Sequence, residues 1–191
     1  MTPKCLYSSV SDLYSSPPEL FEELDRRFGP LTLDVCALPE NAKCPSFYTP
    51  EQDGLEQPWT GRCWCNPPYG RKIRRWLLKA VKSALAGATV VCLLPARVDT
   101  RWWHELVKPY ASVIEFCQGR LWFGGGKMKA PFASVIVVFE PISQQECQWC
   151  GRMFTPTRKD AKFCGGACRQ RACRQRRSGA AVTDKSVTRE Q

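Results

Sequence analysis

The segment that most restricts the fold of this chain is a continuous apolar run at residues 89–94, directly after an amphipathic helix pattern. Strands without polar residues on either face belong to parallel sheets that helices cover on both sides. Before the run, apolar residues recur three and four positions apart until Gly87, which is the spacing of one helix face. These residues are Ile73, Trp76, Leu77, Ala80, Val81, Ala84 and Leu85. A helix followed by a central strand is therefore predicted.

The same alternation extends over the first 140 residues. Further strands are predicted at residues 31–35, 62–65, 113–117 and 134–139, and a short helix at residues 100–108. Another helix is expected to begin with Ser16 as its N-cap and Glu19 completing a capping box, and to end at Gly29. Residues 37–61 are predicted to form one long irregular loop, and such loops are usually functional. The sequence predicts an α/β domain at residues 1–140 with a mostly parallel sheet.

Positive charge is concentrated near the C-terminus. The chain has a formal net charge of +10, and residues 147–191 hold 11 Lys/Arg against 3 Asp/Glu, whereas residues 1–146 hold 17 against 15. A concentrated cationic segment favours a polyanionic partner, because binding releases the counterions of phosphates. A solvated basic tail fits the charge alone equally well.

The twelve cysteines fall into two groups. No apolar signal segment opens the chain, and no apolar run reaches the ~20 residues that span a bilayer. We therefore expect a cytosolic protein with no membrane association, whose thiols stay reduced. Seven cysteines precede residue 147, Cys36, Cys65 and Cys92 among them, and are expected to be small buried apolar residues.

The other five cysteines crowd into residues 147–173 and indicate a metal site. Two residues separate Cys147 from Cys150, three separate Cys164 from Cys168, and thirteen separate the two pairs. Four thiolates at this spacing suit tetrahedral Zn²⁺, which would supply the folding energy that so short a segment lacks. Cys173 is left as a spare thiol or an alternative ligand. The pattern predicts a linker at 141–146, a basic zinc-binding module with four cysteine ligands at 147–177 and a disordered tail at 178–191.

Four residues between a predicted strand and the helix at 73–85 suit the alkylation of an aromatic amine. They are Asn66, Pro67, Pro68 and Tyr69. The lone pair of such an amine is delocalised, so two acceptors that bind both amino hydrogens favour a more nucleophilic, tetrahedral nitrogen. The Asn66 side-chain oxygen and a prolyl carbonyl are such acceptors, and proline carries no N–H. Tyr69 offers a ring on which an extruded base can stack. An ordinary turn would fit the tetrapeptide alone about as well.

Several separated blocks, in one order, resemble the phage-type DNA N6-adenine methyltransferase family, a small relative of the Dam-like enzymes. The resemblance runs roughly over residues 15–141. Its blocks are Ser16-Pro17-Pro18-Glu19-Leu20-Phe21 with Phe28-Gly29, Leu33-Asp34-Val35-Cys36-Ala37, Phe47-Tyr48-Thr49-Pro50-Glu51-Gln52-Asp53-Gly54-Leu55, Trp59, Trp64-Cys65-Asn66-Pro67-Pro68-Tyr69, Leu94-Pro95, Asp99-Thr100-Arg101-Trp102-Trp103 and Gly119-Arg120-Leu121-Trp122-Phe123.

The resemblance implies a Rossmann-like methyltransferase fold, S-adenosylmethionine as the methyl donor and adenine in double-stranded DNA as the acceptor. It implies that residues 66–69 are the catalytic motif. The implied cofactor residues are Ser16, Pro17, Asp34, Cys36, Ala37 and Asp53, with Asp34 near the methionine moiety and Asp53 near the adenine amino group. Two features depart from the pattern: no glycine-rich turn follows Asp34, and Ser16 stands where many members have threonine.

Basic residues in two segments are predicted DNA contacts. The first segment surrounds a glycine-rich loop and contributes Arg120, Lys127 and Lys129, although a solvated hairpin fits it equally well. The second resembles zinc-ribbon-like tails that end in basic helices. It contributes Arg169, Arg171, Arg174, Arg176 and Arg177, which surround the helix as non-specific phosphate contacts would.

Three alternatives stay open from the sequence. The same tetrapeptide suits cytosine-N4 methylation of DNA, and it also suits methylation of RNA or of glutamine in protein. A catalytically inactive DNA-binding zinc protein is the third alternative. No obligate protein partner is evident. Trp102 and Trp103 are expected to pack in the core rather than stack on bases.

Overall fold

The computed structural model describes residues 16–124, 128–156, 158 and 160–180, with the side chains of residues 128 and 177–180 left undescribed. Lys127, the Arg177 side chain and residues 181–191 of the predicted tail therefore lie outside the described part. The chain divides into two compact units, Met1–Pro141 and Ile142–Gln191.

The first unit is a mixed α/β domain. In chain order its elements are α1 (Pro18–Phe28), β1 (Leu33–Asp34), β2 (Ser46–Phe47), β3 (Arg62–Cys65), α2 (Ile73–Leu85), β4 (Thr89–Pro95), a π-helical turn (Trp103–Val107) continued by α3 (Lys108–Tyr110), β5 (Val113–Phe116), β6 (Trp122–Phe123), β7 (Met128–Lys129) and β8 (Ser134–Phe139). The predicted strands at 62–65, 89–94, 113–117 and 134–139 and the predicted helix at 73–85 are confirmed to within one residue at each end.

Six strands form the central sheet in the order β2-β1-β3-β4-β8-β5. Strands β2, β1, β3 and β4 are parallel, and β8 is antiparallel to both β4 and β5. Five of the six strands thus share one direction, as the prediction of a mostly parallel sheet requires. Strands β4 and β8 form the buried centre, because every residue from Val90 to Pro95 and from Ser134 to Phe139 is buried.

Helix α2 covers one face of this centre with the predicted apolar residues, of which only Leu85, in the last turn, is exposed. Since the parallel strands end at one edge of the sheet, the residues that follow β1, β2, β3 and β4 are brought to that edge. Ligands of α/β sheets bind there.

Two local predictions are wrong. Pro17 occupies the cap position of α1, which has no side-chain cap hydrogen bond, so Ser16 with Glu19 does not form a capping box. Ser16 lies one residue too early to cap the helix. Residues 37–61 are not wholly irregular, because Ser46 and Phe47 pair with Leu33 and Asp34 as strand β2.

The second unit contains β9 (Gln145–Glu146), β10 (Met153–Phe154) and α4 (Gly166–Ala180). Strands β9 and β10 pair antiparallel, so β9 lies in the segment predicted as a linker. Helix α4 runs three residues into the predicted tail. None of the helices in the described ranges is long and apolar enough to cross a bilayer.

Candidate active site and metal centre

The catalytic motif predicted from the sequence begins directly after β3, at the carboxyl edge of the parallel strands. The Asn66 side chain is held at both ends of its amide. Its Nδ2 donates a 3.0 Å hydrogen bond to Ser16 Oγ, and its Oδ1 accepts a 2.7 Å hydrogen bond from the Tyr69 hydroxyl. Its backbone N–H donates to the Cys36 thiol. Three chain segments therefore fix one residue.

Tyr69 is buried rather than open to solvent, with 5% of its surface exposed. Its hydroxyl lies between Asn66 Oδ1 and the carbonyl oxygen of Leu93 in β4, which is 3.3 Å away. Its ring makes an edge-to-face contact with Phe132, with ring centroids 5.4 Å apart. The ring is thus fixed at the end of β4 beside the Asn66 amide.

A cavity of about 250 Å³ adjoins the motif, and Pro68 lines it. Three residues that the sequence predicted as cofactor ligands line it too: Cys36, Ala37 and Asp53. Leu38, Leu55 and Trp76 add apolar wall. Within the described residues, Ser16, Pro17 and Asp34 stand outside this lining, so the predicted cofactor residues are only partly brought together.

Asp34 is a buried carboxylate that organises the loop after β1. Its Oδ1 accepts a hydrogen bond from the Cys36 N–H (3.3 Å) and its Oδ2 accepts one from the Lys43 N–H (3.1 Å). Burial raises the pKa of Asp34 to about 6, against the lowering effect of these two N–H donors and of the Lys43 charge. The carboxylate therefore positions the cavity wall instead of facing the cavity.

A close backbone approach shapes the wall of the cavity beside Asp53. Asp53 has a φ of 46°, and its carboxylate accepts a hydrogen bond from the Leu55 N–H at 3.1 Å. A Cβ on Gly54 would lie 2.0 Å from the Val35 carbonyl oxygen, so only glycine fits between the loop and the end of β1.

Sequence reasoning missed the basic wall of the cavity. Lys72 and Arg75 line it together with Pro68 and Trp76. Lys72, the cap residue of α2, and Arg75, in its first turn, are three positions apart and therefore lie on one side of the start of the helix. The same helical periodicity that predicted the core face would have found them, had it been applied to the polar residues.

Of the seven thiols predicted as small apolar residues, Cys44, Cys63, Cys65 and Cys92 are buried, Cys36 and Cys117 are half-buried, and Cys5 lies outside the described residues. The Cys36 and Cys65 side chains are hydrogen-bonded, and burial raises the pKa of both thiols. They pack beside the motif as neutral groups. Trp102 and Trp103 are buried, as predicted.

Comparison with known proteins agrees with this geometry. The sequence matches the family model described as DNA N-6-adenine-methyltransferase (Dam) over residues 4–162. The chain belongs to this family. It is 32% identical over 148 residues to the DNA N-6-adenine-methyltransferase of Haemophilus phage HP1, covering 74% of this chain and 86% of that one. It is 35% identical over 109 residues to the enzyme of the same name from Escherichia phage T1, covering 56% of this chain and 45% of the phage protein.

In this Dam-family chain, the predicted DNA contacts Arg120 and Lys129 are exposed. Lys129 lies on the β6–β7 hairpin, where its Nζ stands 5.7 Å from the ring centroid of Trp122. Trp122 is 52% exposed, whereas the next residue, Phe123, is fully buried. The hairpin thus anchors one aromatic side chain and presents another to solvent, a feature that the sequence analysis did not single out.

The second unit of the Dam-family chain brings the four predicted metal ligands together. The sulfur atoms of Cys147, Cys150, Cys164 and Cys168 all lie within 4.8 Å of one another. Cys164 Sγ is 3.6 Å from Cys150 Sγ and 3.5 Å from Cys168 Sγ. Tetrahedral zinc with Zn–S bonds of about 2.3 Å places its sulfurs about 3.8 Å apart. The four thiols therefore fit this ion.

The surroundings lower the pKa of two of the four cluster thiols, Cys147 and Cys150, whereas hydrogen bonds with Cys168 and the other cluster cysteines raise the pKa of Cys164 to about 12. Against the lowering effect of its hydrogen bond with Cys164, burial and the other two cysteines raise the pKa of Cys168. Burial raises the pKa of Cys147, but the backbone N–H groups of Cys164, Cys150 and Trp149 outweigh it and lower the pKa to about 6. The backbone N–H of Arg152, and then its side chain, bond the Cys150 thiol and lower its pKa in the same direction. Cys173 is exposed on α4 and is not one of the four clustered cysteines.

Proposed function

We propose that this chain transfers a methyl group from S-adenosylmethionine to N6 of adenine in double-stranded DNA. The observation that carries the proposal is the Asn66 amide, fixed at the carboxyl edge of the sheet two residues from the cavity-lining Pro68. The named activity of the phage relatives supports the choice of adenine. The strand order, with antiparallel β8 inserted between β4 and β5, supports a Rossmann-like methyltransferase fold.

S-adenosylmethionine fits the cavity beside the motif by its chemistry. Leu38, Leu55 and Trp76 offer apolar surface to the adenosyl group, and Asp53 offers a carboxylate to its amino group. Lys72 and Arg75 carry positive charge for the methionine carboxylate. When bound, the cofactor supplies an electrophilic methyl group on a sulfonium. Asp34 contributes to cofactor binding indirectly, because it fixes the backbone between Cys36 and Lys43.

The chain's own contribution is to hold the acceptor amine. The Asn66 amide oxygen is an acceptor with two lone pairs, and Pro67 offers a backbone carbonyl but has no backbone N–H. These two acceptors bind the amino hydrogens of adenine and make its nitrogen more tetrahedral. Because neither atom can be reached by a base inside a duplex, the target adenine is flipped out of the stack.

DNA is held by basic side chains on both units and by one aromatic side chain on the first unit. On the first unit, Arg120 and Lys129 contact phosphates, and the exposed Trp122 ring contacts bases. On the second unit, Arg169, Arg171, Arg174 and Arg176 of α4 contact phosphates without reading sequence. We further propose that Zn²⁺ on the four cysteines holds this unit folded, since so small a unit has little apolar core of its own.

The test is incubation of the full chain with labelled S-adenosylmethionine and unmodified DNA, followed by nucleoside analysis. The expected product is N6-methyladenine; N4-methylcytosine, or label in neither base, would contradict the proposal. Asn66→Ala should abolish transfer, because it removes the acceptor oxygen, while binding of DNA and of the cofactor survives. Equal loss of binding and transfer would mean that Asn66 is structural.

A further inference from the structure

We infer that Ser16 is a positioning residue, which holds the Asn66 amide in place and does not contact the cofactor. The inference deepens the proposed function and rests on it. It replaces the role that the family resemblance implied for Ser16, and the replacement comes from the 3.0 Å hydrogen bond between Asn66 Nδ2 and Ser16 Oγ.

An asparagine amide can present either its oxygen or its NH2 group to a given partner, and its hydrogen bonds select the orientation. Transfer to an amine requires the oxygen on the side of the base, because an NH2 group there would oppose the amino hydrogens. Tyr69 donates to Oδ1 and Ser16 accepts from Nδ2, so the two bonds select the same orientation. A phenolic hydroxyl can also accept, and Tyr69 has a second acceptor in the Leu93 carbonyl. The Ser16 hydroxyl can likewise donate or accept, so what the two bonds provide together is a fixed place for the amide between the start of α1 and Tyr69.

Ser16 is placed to hold the Nδ2 end of the Asn66 amide. It is buried, with 5% of its surface exposed, and it stands outside the cavity lining formed by the described residues. The start of α1 is fixed against β3, since Phe21 packs edge-to-face on Trp64 with ring centroids 5.5 Å apart. Trp64 is two residues before Asn66. The contact between distant chain segments that brings Ser16 to Asn66 is thus part of the folded core.

The sequence supplies a direct test, because the chain has two asparagines, Asn41 and Asn66. The full-length protein labelled with 15N-asparagine should give two pairs of side-chain amide signals. In the wild-type protein, the Asn66 amide protons should exchange with solvent more slowly than those of Asn41. Ser16→Ala should shift the Asn66 pair and speed its exchange, and should leave the Asn41 pair in place. An unprotected Asn66 pair in the wild type would overturn the inference without any mutation.

Kinetics separate positioning from cofactor binding. Ser16→Ala should lower kcat for methyl transfer about tenfold, the effect of one lost orienting hydrogen bond. KM for S-adenosylmethionine should change less than about twofold, and Ser16→Thr, which keeps the hydroxyl, should restore kcat. Ser83→Ala removes another buried serine, near the far end of α2, and is the matched control. A raised KM for the cofactor with unchanged kcat, or no change at all, would overturn the inference.

Failure of the proposed function and failure of the inference about Ser16 would give different results. If the wild-type chain transfers no methyl group to DNA, the proposed function fails while the amide signals still report the contact. If Ser16→Ala does not fold, the exchange rates of the wild-type amide and the activity of Ser16→Thr decide. Loss of transfer in the threonine variant would also contradict a role that needs only the hydroxyl.

Discussion

The Tyr69 hydroxyl donates a 2.7 Å hydrogen bond to the amide oxygen of Asn66, three residues earlier in the chain. The bond joins the two ends of the predicted catalytic motif, and the Phe132 ring packs against the Tyr69 ring. The Tyr69 side chain therefore contributes both a hydrogen-bond donor and a packed ring. Its hydroxyl and its ring contribute separately and can be separated by mutation.

Tyr69→Phe keeps the ring and removes the hydroxyl. We expect it to lower the free energy of unfolding by about 1 kcal/mol, because a buried hydrogen bond is lost, and to lower kcat several-fold. Urea unfolding and steady-state kinetics measure the two effects. Tyr110→Phe, on α3, controls for loss of a phenolic hydroxyl elsewhere. Wild-type kcat in Tyr69→Phe would show that Asn66 needs no donor from Tyr69.

The buried carboxylate of Asp34 predicts a pH dependence of stability. Burial raises its pKa from 3.8 to about 6 in the folded state. Between these values the folded chain binds more protons than the unfolded chain. The free energy of unfolding therefore falls as pH rises from about 4 to about 6, and Asp34 causes no further change at higher pH. The loss is about 3 kcal/mol. Asp34→Asn should flatten this part of the unfolding free energy curve.

The control for this measurement is Glu40→Gln, which neutralises an exposed carboxyl in the same loop. Its curve should keep the wild-type slope between about pH 4 and about pH 6. An unchanged slope in Asp34→Asn would show that Asp34 is not the group whose protonation is linked to folding in this range.

The strong hydrophobic patterns predicted most of the domain. Strands β3 and β8 have the predicted bounds, and β4 differs by one residue, because their apolar runs are almost fully buried and leave little choice of register. The two-residue strands β1 and β2 carry too few residues to show a period. Their pairing depends on Leu33 and Ser46, thirteen positions apart, meeting in the sheet.

The site was predictable where its determinants are local. The clustering of the four cysteines follows from their spacing, and the place of residues 66–69 at the edge of the sheet follows from the strand and helix patterns on either side of them. The contact between Ser16 and Asn66 spans fifty positions and has no sequence period. A local capping rule assigned the Ser16 hydroxyl to α1 instead, although Pro17 takes that position.

The cysteine cluster predicts one zinc ion per chain. Cys164→Ser should lose the metal, because Cys164 Sγ stands within 3.6 Å of both Cys150 Sγ and Cys168 Sγ. Cys173→Ser is the matched control and should keep one zinc. Elemental analysis of the purified proteins measures the stoichiometry. Equal loss in both variants would place Cys173 in the site.

The β6–β7 hairpin predicts an aromatic contact with DNA. Trp122→Ala should raise KM for DNA about tenfold, since stacking on one base is worth about 1–3 kcal/mol. Trp122→Phe should keep most of the affinity, because a phenyl ring also stacks. Phe116→Ala removes another exposed aromatic side chain, on β5, and should leave KM for DNA unchanged. Equal effects of the two alanine variants would indicate general destabilisation.

The arginines of α4 predict a salt-dependent share of DNA affinity. Arg169→Gln with Arg171→Gln removes two exposed positive charges, while glutamine preserves the helix. Each arginine that contacts a phosphate releases about one counterion, so the slope of log Kobs against log salt should become shallower by about 1 to 2. Fluorescence anisotropy on one duplex at several salt concentrations measures it. Lys79→Gln with Lys82→Gln removes two charges from α2 and should leave the slope unchanged. A slope that responds only to the α2 pair would place the phosphate contacts on the first unit and leave α4 without a role in binding DNA.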